Sequence, residues 1–238
     1  MPAKSLIEAL KAKAEARERI KPQIPIQIKR HLECYRRLLH DNQSWKCAYK
    51  WLNGKPTLSR DDIKTLAEAC KSSEQLWPTL FTISMLWGYG ENDDSGPVKL
   101  FYALNTKNAE GIIQSTADYV ASGRLTDAFV TIRGLKEIGA SYGTKYLFAV
   151  GRAYRLSPEP LVLDGKLVKA LRNWWGGNEA DQRFNLGAKD YSYPKGIERA
   201  AKGYVAYCEE LQRIAGQLGP AYSPDMVEQF LFENPNPL

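Results

Sequence analysis

Apolar residues recur at intervals of three and four along most of this 238-residue chain, and no sustained run alternates apolar with polar residues. Spacing of this kind is typical of amphipathic helices, whereas a half-buried strand needs strict alternation. The clearest series is Leu125, Phe129, Ile132, Leu135 and Ile138. The apolar segment at 160–163 is too short to be more than an extended loop. We therefore predict an all-α protein of about ten helices with short connections.

The chain shows no internal repeat, and we predict one helical unit over 1–238, with N-terminal helices in 1–55 packed on it. Residues 75–88 are strongly apolar and predict a central core helix. A second helix is expected over 26–39. Ser59, with Asp62 three residues later, is typical of a capping box at a helix start. We predict a long mixed loop over 176–194, of a length that is often functional.

The composition of the chain limits the classes of function that are expected. The formal net charge of +6 favours a polyanionic partner without requiring one. None of the four cysteines forms a CxxC pair, and Cys70 and Cys208 are expected to be buried on apolar helical faces. With two histidines, a histidine-based metal site or catalytic triad is not expected. No apolar run has the length of a membrane span, and the charged N-terminus is unlike a signal peptide. The expected location is the cytoplasm, with reduced thiols.

The segment from Ile138 to Asp164 contains the features that point to a chemistry. We expect a helix over 129–137, a tight turn over 139–143, and a second helix that begins at Thr144. Free amides and a positive dipole at the start of that second helix would accept a phosphate. A hairpin of this kind grips a nucleic acid without reading its sequence. A plain packing corner between two helices is the open alternative.

Lys145 follows at the second or third position of the predicted helix, and Asp164 lies at the start of the next one. The helix field and partial burial would both lower the pKa of the Lys145 ammonium, which favours a nucleophilic amine. Asp164 has the character of an N-cap, and its carboxylate could also face the pocket that the lysine enters. A solvated lysine and an ordinary helix cap remain the alternative interpretations.

These residues resemble the helix-hairpin-helix superfamily of DNA glycosylases, especially the 8-oxoguanine branch. The family hairpin ends in Gly-Thr-Lys, which is Gly143-Thr144-Lys145 here, and an extended segment then leads to an aspartate, here Leu161 to Asp164. The likeness is sharpest over 126–175. Where the family usually reads Pro-Gly-Val-Gly, this chain has Ala140-Ser141-Tyr142-Gly143. The iron–sulfur loop and the extra β-domain of some relatives are missing, so the chain is most similar to compact prokaryotic members.

The resemblance implies an enzyme of two helical halves that flank a cleft, acting as a monomer on duplex DNA without a cofactor. It would flip a modified base out of the duplex and cleave its N-glycosidic bond, leaving an abasic site. Lys145 would attack the sugar C1′, and Asp164 would stabilise the developing positive charge. A persistent Schiff base would add strand cleavage. The implied substrate is an oxidised guanine, or a hypermodified phage base such as glucosylated hydroxymethylcytosine if the role is antiviral defence rather than DNA repair.

Further residues are assigned to DNA on weaker grounds. The hairpin and nearby basic side chains would meet phosphates: Ser141, Tyr142, Gly143, Thr144, Arg133, Lys136, Arg152 and Lys166. The flipped base would stack on aromatic rings, with these candidates: Trp87, Trp174, Trp175, Phe184, Tyr193 and Phe230. Since Trp174 and Trp175 are adjacent on a helix, one of them could leave the core. Two other functions stay open, a non-catalytic helix-hairpin-helix DNA-binding protein and a helical interaction module.

Overall fold

A computed structural model describes residues 2–15, 26–28, 32–90, 94–185 and 196–237. Within them it contains thirteen α-helices and one pair of two-residue strands, so the all-α prediction is confirmed. The chain divides into two compact units. We call Gln23–Arg155 the middle unit, and Met1–Pro22 with Leu156–Leu238 the terminal unit. That residues 1–238 act as one glycosylase-like unit stays a prediction.

The middle unit is built around one apolar helix. Its helices are α2 (Leu32–Leu39), α3 (Gln43–Leu52), α4 (Arg60–Cys70), α5 (Trp77–Tyr89), α6 (Gly96–Leu104), α7 (Ala109–Ala121), α8 (Leu125–Ile132) and α9 (Ala140–Gly151). Nearly every residue of α5 is buried, because α3, α4, α6, α7 and α9 all pack against it. A helix that is apolar on all sides has to be enclosed in this way. The predicted core helix is therefore confirmed.

The terminal unit combines the first helix with the last four. These are α1 (Pro2–Glu15), α10 (Gly165–Trp175), α11 (Gly177–Phe184), α12 (Ile197–Leu218) and α13 (Pro224–Glu233). The long helix α12 packs against α1, α11 and α13, and α10 packs against α1, α11 and α13. Ser223 is the N-cap of α13, and Pro224 lies in its first turn. Leu161, Val162 and Leu163 form a buried extended segment before α10.

Three predicted elements are wrong in their extent. Of the helix expected over 26–39, Leu32–Leu39 is present as α2, whereas Ile26–Gln27 form strand β1, which pairs antiparallel with β2 (Thr57–Leu58). The helix expected over 129–137 ends at Ile132. The loop expected over 176–194 contains α11, while 186–194 lies outside the described residues.

The early end of α8 has a local cause. Gly134 lies two residues after Ile132, and Glu137 adopts a left-handed backbone with φ of 62°, which a helix cannot include. Leu135 and Ile138 are nevertheless buried, at 2% and 3% exposure. Their apolar spacing therefore predicted burial correctly, although they reach the core from the connection between α8 and α9 rather than from a helix.

Local capping signals are confirmed. Ser59 caps α4, its Oγ accepts from the Asp62 amide, and the Asp62 carboxylate accepts from the Ser59 amide, which completes the capping box. Cys70 and Cys208 are both fully buried, as predicted. Among the described residues, no helix combines the length and the apolar character that crossing a membrane requires.

Candidate active site

Helix α9 carries the predicted nucleophile, and it starts earlier than expected. Gly139 is its N-cap, and the Gly143 amide already donates to the Gly139 carbonyl at 2.8 Å. The predicted tight turn over 139–143 is therefore wrong, and Lys145 is the sixth helical residue rather than the second or third. First-turn amides capable of meeting a phosphate belong to 140–142, which include Ser141 and Tyr142.

Lys145 is buried, with 8% of its surface exposed. Its Nζ donates to Ser141 Oγ at 3.2 Å and lies 3.4 Å from the Ser141 carbonyl oxygen. These two residues are one helical turn apart, so they share one face of α9. Ser141, where the family usually has glycine, thus supplies two oxygens that hold the lysine amine. Lysine is rarely buried, and burial disfavours the charged ammonium relative to the neutral amine, which is the nucleophilic form.

Gly88 makes the room that the Lys145 side chain occupies. A Cβ built on Gly88 would lie 2.4 Å from Lys145 Cδ and 3.1 Å from Cε. Carbon atoms pack at about 3.5–4.0 Å, so any larger residue at this position of α5 would push the lysine aside. The amine is therefore placed by two helices, since α9 supplies the lysine and α5 supplies the gap.

The ring of Tyr142 lies near the ammonium groups of two lysines, Lys145 and Lys99. The Lys145 Nζ lies 5.2 Å from the centroid of the Tyr142 ring, and the Lys99 Nζ lies 5.3 Å from the same centroid. The ring of Tyr89 contacts that of Tyr142, with centroids 4.4 Å apart. Both contacts between an ammonium and the ring are within the range of a cation–π interaction.

In the terminal unit, Asp164 is the N-cap of α10, as predicted. Its Oδ1 accepts from the amides of Lys166 and Leu167, at 3.0 Å each. Both bonds fall on the same carboxylate oxygen, and they fix the direction of the side chain. The carboxylate is only partly buried.

Hydrogen bonds from distant helices hold the extended segment before Asp164. Tyr204 donates to the Leu161 carbonyl and Tyr207 to the Val162 carbonyl, both at 2.9 Å. Glu228, 1% exposed, accepts from the Val162 amide at 2.8 Å. Burial, together with the neighbouring Cys208, holds the pKa of Tyr204 well above its usual value, so this tyrosine stays a donor. The segment that ends at Asp164 is therefore rigidly anchored within its unit.

The basic residues assigned to DNA have varied surroundings. Arg133 is half-buried, and burial lowers the pKa of its guanidinium. Arg152 lies over the Phe148 ring at 4.5 Å, and the exposed Lys166 lies over the Phe232 ring at 3.8 Å. Lys136 is exposed. In α9, Thr144 is fully buried, and its hydroxyl donates to the Ser141 carbonyl. All these assignments to DNA stay predictions.

The aromatic candidates for the base pocket lie mostly in the core. Trp87 is 5% exposed and stacks on Phe148, with centroids 5.8 Å apart and planes at 16°. Trp174 and Trp175 are both buried, so the expectation that one leaves the core is wrong. Trp174 donates to the Asn234 carbonyl and contacts Phe230, whereas Trp175 contacts Phe184. Tyr193 lies outside the described residues.

Several residues that shape the site were missed in the sequence. In the sequence, Gly88 is readily interpreted as the end of a helix, and Lys99 as a charged residue on the surface. The anchoring by Tyr204, Tyr207 and Glu228 joins positions that are far apart in the chain, which no local spacing reveals. Ser141 did carry a signal, because it precedes Lys145 by four residues and so shares its helical face. Within the described ranges, no group of three His, Cys, Asp or Glu side chains could hold a metal ion.

Comparison with known proteins gives one result. A family model described as "Putative 8-oxoguanine DNA glycosylase OGG-like protein" matches residues 27–232. Neither the curated proteins nor the solved structures contain a match to the chain. The matched range covers most of the chain, including the α9 lysine and the α10 aspartate, and it confirms the resemblance first seen in the hairpin segment. The chain therefore belongs to this OGG-like family, whose description is that of DNA glycosylases, enzymes with DNA as substrate.

Proposed function

We propose that the protein is a DNA glycosylase that removes a modified base with Lys145 as nucleophile and Asp164 as the accompanying carboxylate. The observation that carries the proposal is the burial of Lys145, whose amine is held by Ser141 and whose chain passes through the gap at Gly88. A solvated lysine would need neither feature. Membership of the OGG-like family supports the same reaction.

The proposed reaction begins when the neutral amine of Lys145 attacks the sugar C1′. The bond between C1′ and the base nitrogen breaks, and the base leaves with the bonding electrons and takes up a proton. Asp164 stabilises the positive charge that develops on the sugar. Loss of the amine proton and opening of the sugar ring at O4′ then give a Schiff base. Water hydrolyses it to the abasic site, or elimination cleaves the strand.

The modified base is proposed as one of two kinds. An oxidised guanine agrees with the description of the family. The second kind is a hypermodified phage base such as glucosylated hydroxymethylcytosine, in which case the enzyme would act in antiviral defence. A base-release assay on unmodified, oxidised and phage-modified duplexes distinguishes the two, since only the true substrate releases a free base in proportion to the enzyme.

Matched substitutions test the roles of the two residues. Lys145→Gln removes the amine and should abolish base release while DNA binding is retained. Asp164→Asn removes the charge but keeps an oxygen that can accept from the α10 amides, and asparagine is as good an N-cap as aspartate. We therefore expect Asp164→Asn to fold normally and to lose base release. Full base release in both variants would refute the roles assigned to Lys145 and Asp164. DNA binding by the wild-type protein without release of any base would leave a non-catalytic helix-hairpin-helix DNA-binding protein as the better account.

A further inference from the structure

The ring of Tyr142 lies within cation–π distance of two ammonium groups, those of Lys145 and Lys99. The packing of helix α6 places the Lys99 ammonium there. Gly96 in the first turn of α6 lies so close to Tyr89 that a Cβ on it would fall 2.8 Å from the Tyr89 Cγ. This close approach seats α6 on the Tyr89 ring, which in turn contacts Tyr142. Lys99, one turn after Gly96, then extends over both rings, at 5.9 Å from the centroid of Tyr89 and 5.3 Å from that of Tyr142.

From this arrangement we infer that Lys99 is a positioning residue that favours the neutral, nucleophilic form of Lys145. Because both Nζ atoms lie near one ring centroid, they are at most roughly 10 Å apart. A positive charge at Lys99 disfavours a second positive charge at Lys145. The use of this effect in catalysis rests on the proposed nucleophilic role of Lys145, whereas the effect itself does not require DNA.

The other ionisable groups around α9 are left unchanged by a substitution at Lys99. On this side Lys145 lies near Tyr142 of its own helix, whose ring contacts that of Tyr89 of α5. Charged groups on the other elements packed against α9 include Arg60 of α4, which lies over Phe148, Asp118 of α7, which acts on Tyr146 and Tyr154, and Arg133 at the end of α8. A comparison of Lys99 variants therefore isolates the contribution of one charge.

The size of the effect follows from the separation. Two unit charges about 10 Å apart, in a medium between a protein surface and water, change a neighbouring pKa by about 0.3 to 1 pH unit. Removal of the Lys99 charge should raise the pKa of Lys145 by this amount. At pH 7 the neutral fraction of the amine would then fall by about 2- to 10-fold.

The test is an NMR titration of the free protein carrying lysine labelled with carbon-13 at Cε, with the Lys145 resonance identified by its loss in Lys145→Arg. We expect the midpoint to move upward in Lys99→Gln and to keep its wild-type value in Lys99→Arg. Lys107→Gln, which removes an equal charge from an exposed site after α6, should also leave it unchanged. Equal midpoints in Lys99→Gln and Lys107→Gln would overturn the inference.

A second measurement connects the titration to the reaction. The pH profile of borohydride trapping on a duplex with an abasic site should move by the same amount in Lys99→Gln, with an unchanged plateau at high pH. A fall in trapping at every pH without a shift would identify Lys99 as a plain DNA contact and overturn its role. If wild-type protein forms no adduct while the NMR midpoint still moves, the proposed function fails and the electrostatic coupling stands.

Discussion

Replacement of Gly88 by alanine should displace the Lys145 amine while changing the stability of the protein little. The new Cβ would lie 2.4 Å from Lys145 Cδ, whereas ordinary carbon contacts are about 3.5–4.0 Å. The lysine chain therefore has to retreat by roughly 1 Å or more. Its amine would lose its place against Ser141 Oγ, to which it now donates at 3.2 Å.

The two consequences of this change differ in size. Overpacking costs about 1–3 kcal/mol, and the better helix propensity of alanine returns about 1 kcal/mol. The net loss should be about 0–2 kcal/mol, which lowers the melting temperature by no more than about 8 °C. A misplacement of the nucleophile by about 1 Å costs roughly 100-fold in rate. The reaction should therefore suffer far more than the fold.

The assay is the single-turnover rate of borohydride trapping on an abasic-site duplex, with the protein in excess and thermal melting measured alongside. Gly216→Ala is the matched control, because Gly216 also lies in a helix and a Cβ there would meet nothing within 4 Å. We expect this control to keep the wild-type rate and to gain up to about 1 kcal/mol of stability. Trapping by Gly88→Ala at the rate of Gly216→Ala would refute the role assigned to the gap.

Three further predictions concern the terminal unit and the cysteines. Tyr207→Phe leaves the buried Val162 carbonyl without its donor and should cost about 1–3 kcal/mol, seen as a lower melting temperature; an unchanged melting curve would contradict the anchoring. Gly203→Ala places a Cβ 2.1 Å from a backbone oxygen of α11, so a loss of about 2 kcal/mol or more is expected in urea unfolding, and a stabilised variant would refute the close contact. Burial raises the pKa of Cys70 and of Cys208 to about 12 each, so at pH 8 these thiols stay protonated and should react with a disulfide reagent far more slowly than the other two cysteines. Four equally fast thiols in the native protein would contradict that burial.

Features set by neighbouring residues in the chain could be predicted from the sequence. The apolar residues of 75–88 have to be shielded from water whichever elements pack on them, and they form the buried helix α5. The caps at Ser59 and Asp164 depend on amides two or three residues later, so both were found. The lysine and the aspartate were selected by a motif that is itself local.

Features that depend on distant residues could not be predicted from the sequence. The extended segment before Asp164 is held by side chains more than 40 positions away, on α12 and α13. Gly88 has no local signal, because its role depends on a lysine in another helix. The start of α9 was misplaced since glycine and serine over 139–143 favour a turn in isolation, whereas packing against α5, α7 and α8 stabilises a helix from Ala140.

The most direct test of the central claim is to locate the covalent bond. Wild-type protein is trapped with borohydride on an abasic-site duplex, digested with nuclease and protease, and the sugar-bearing peptide is sequenced by mass spectrometry. The account predicts a single modified residue, Lys145, and no adduct in Lys145→Gln. A sugar attached to Lys99 or to any other amine in the wild-type protein, or an undiminished adduct in Lys145→Gln, would contradict it.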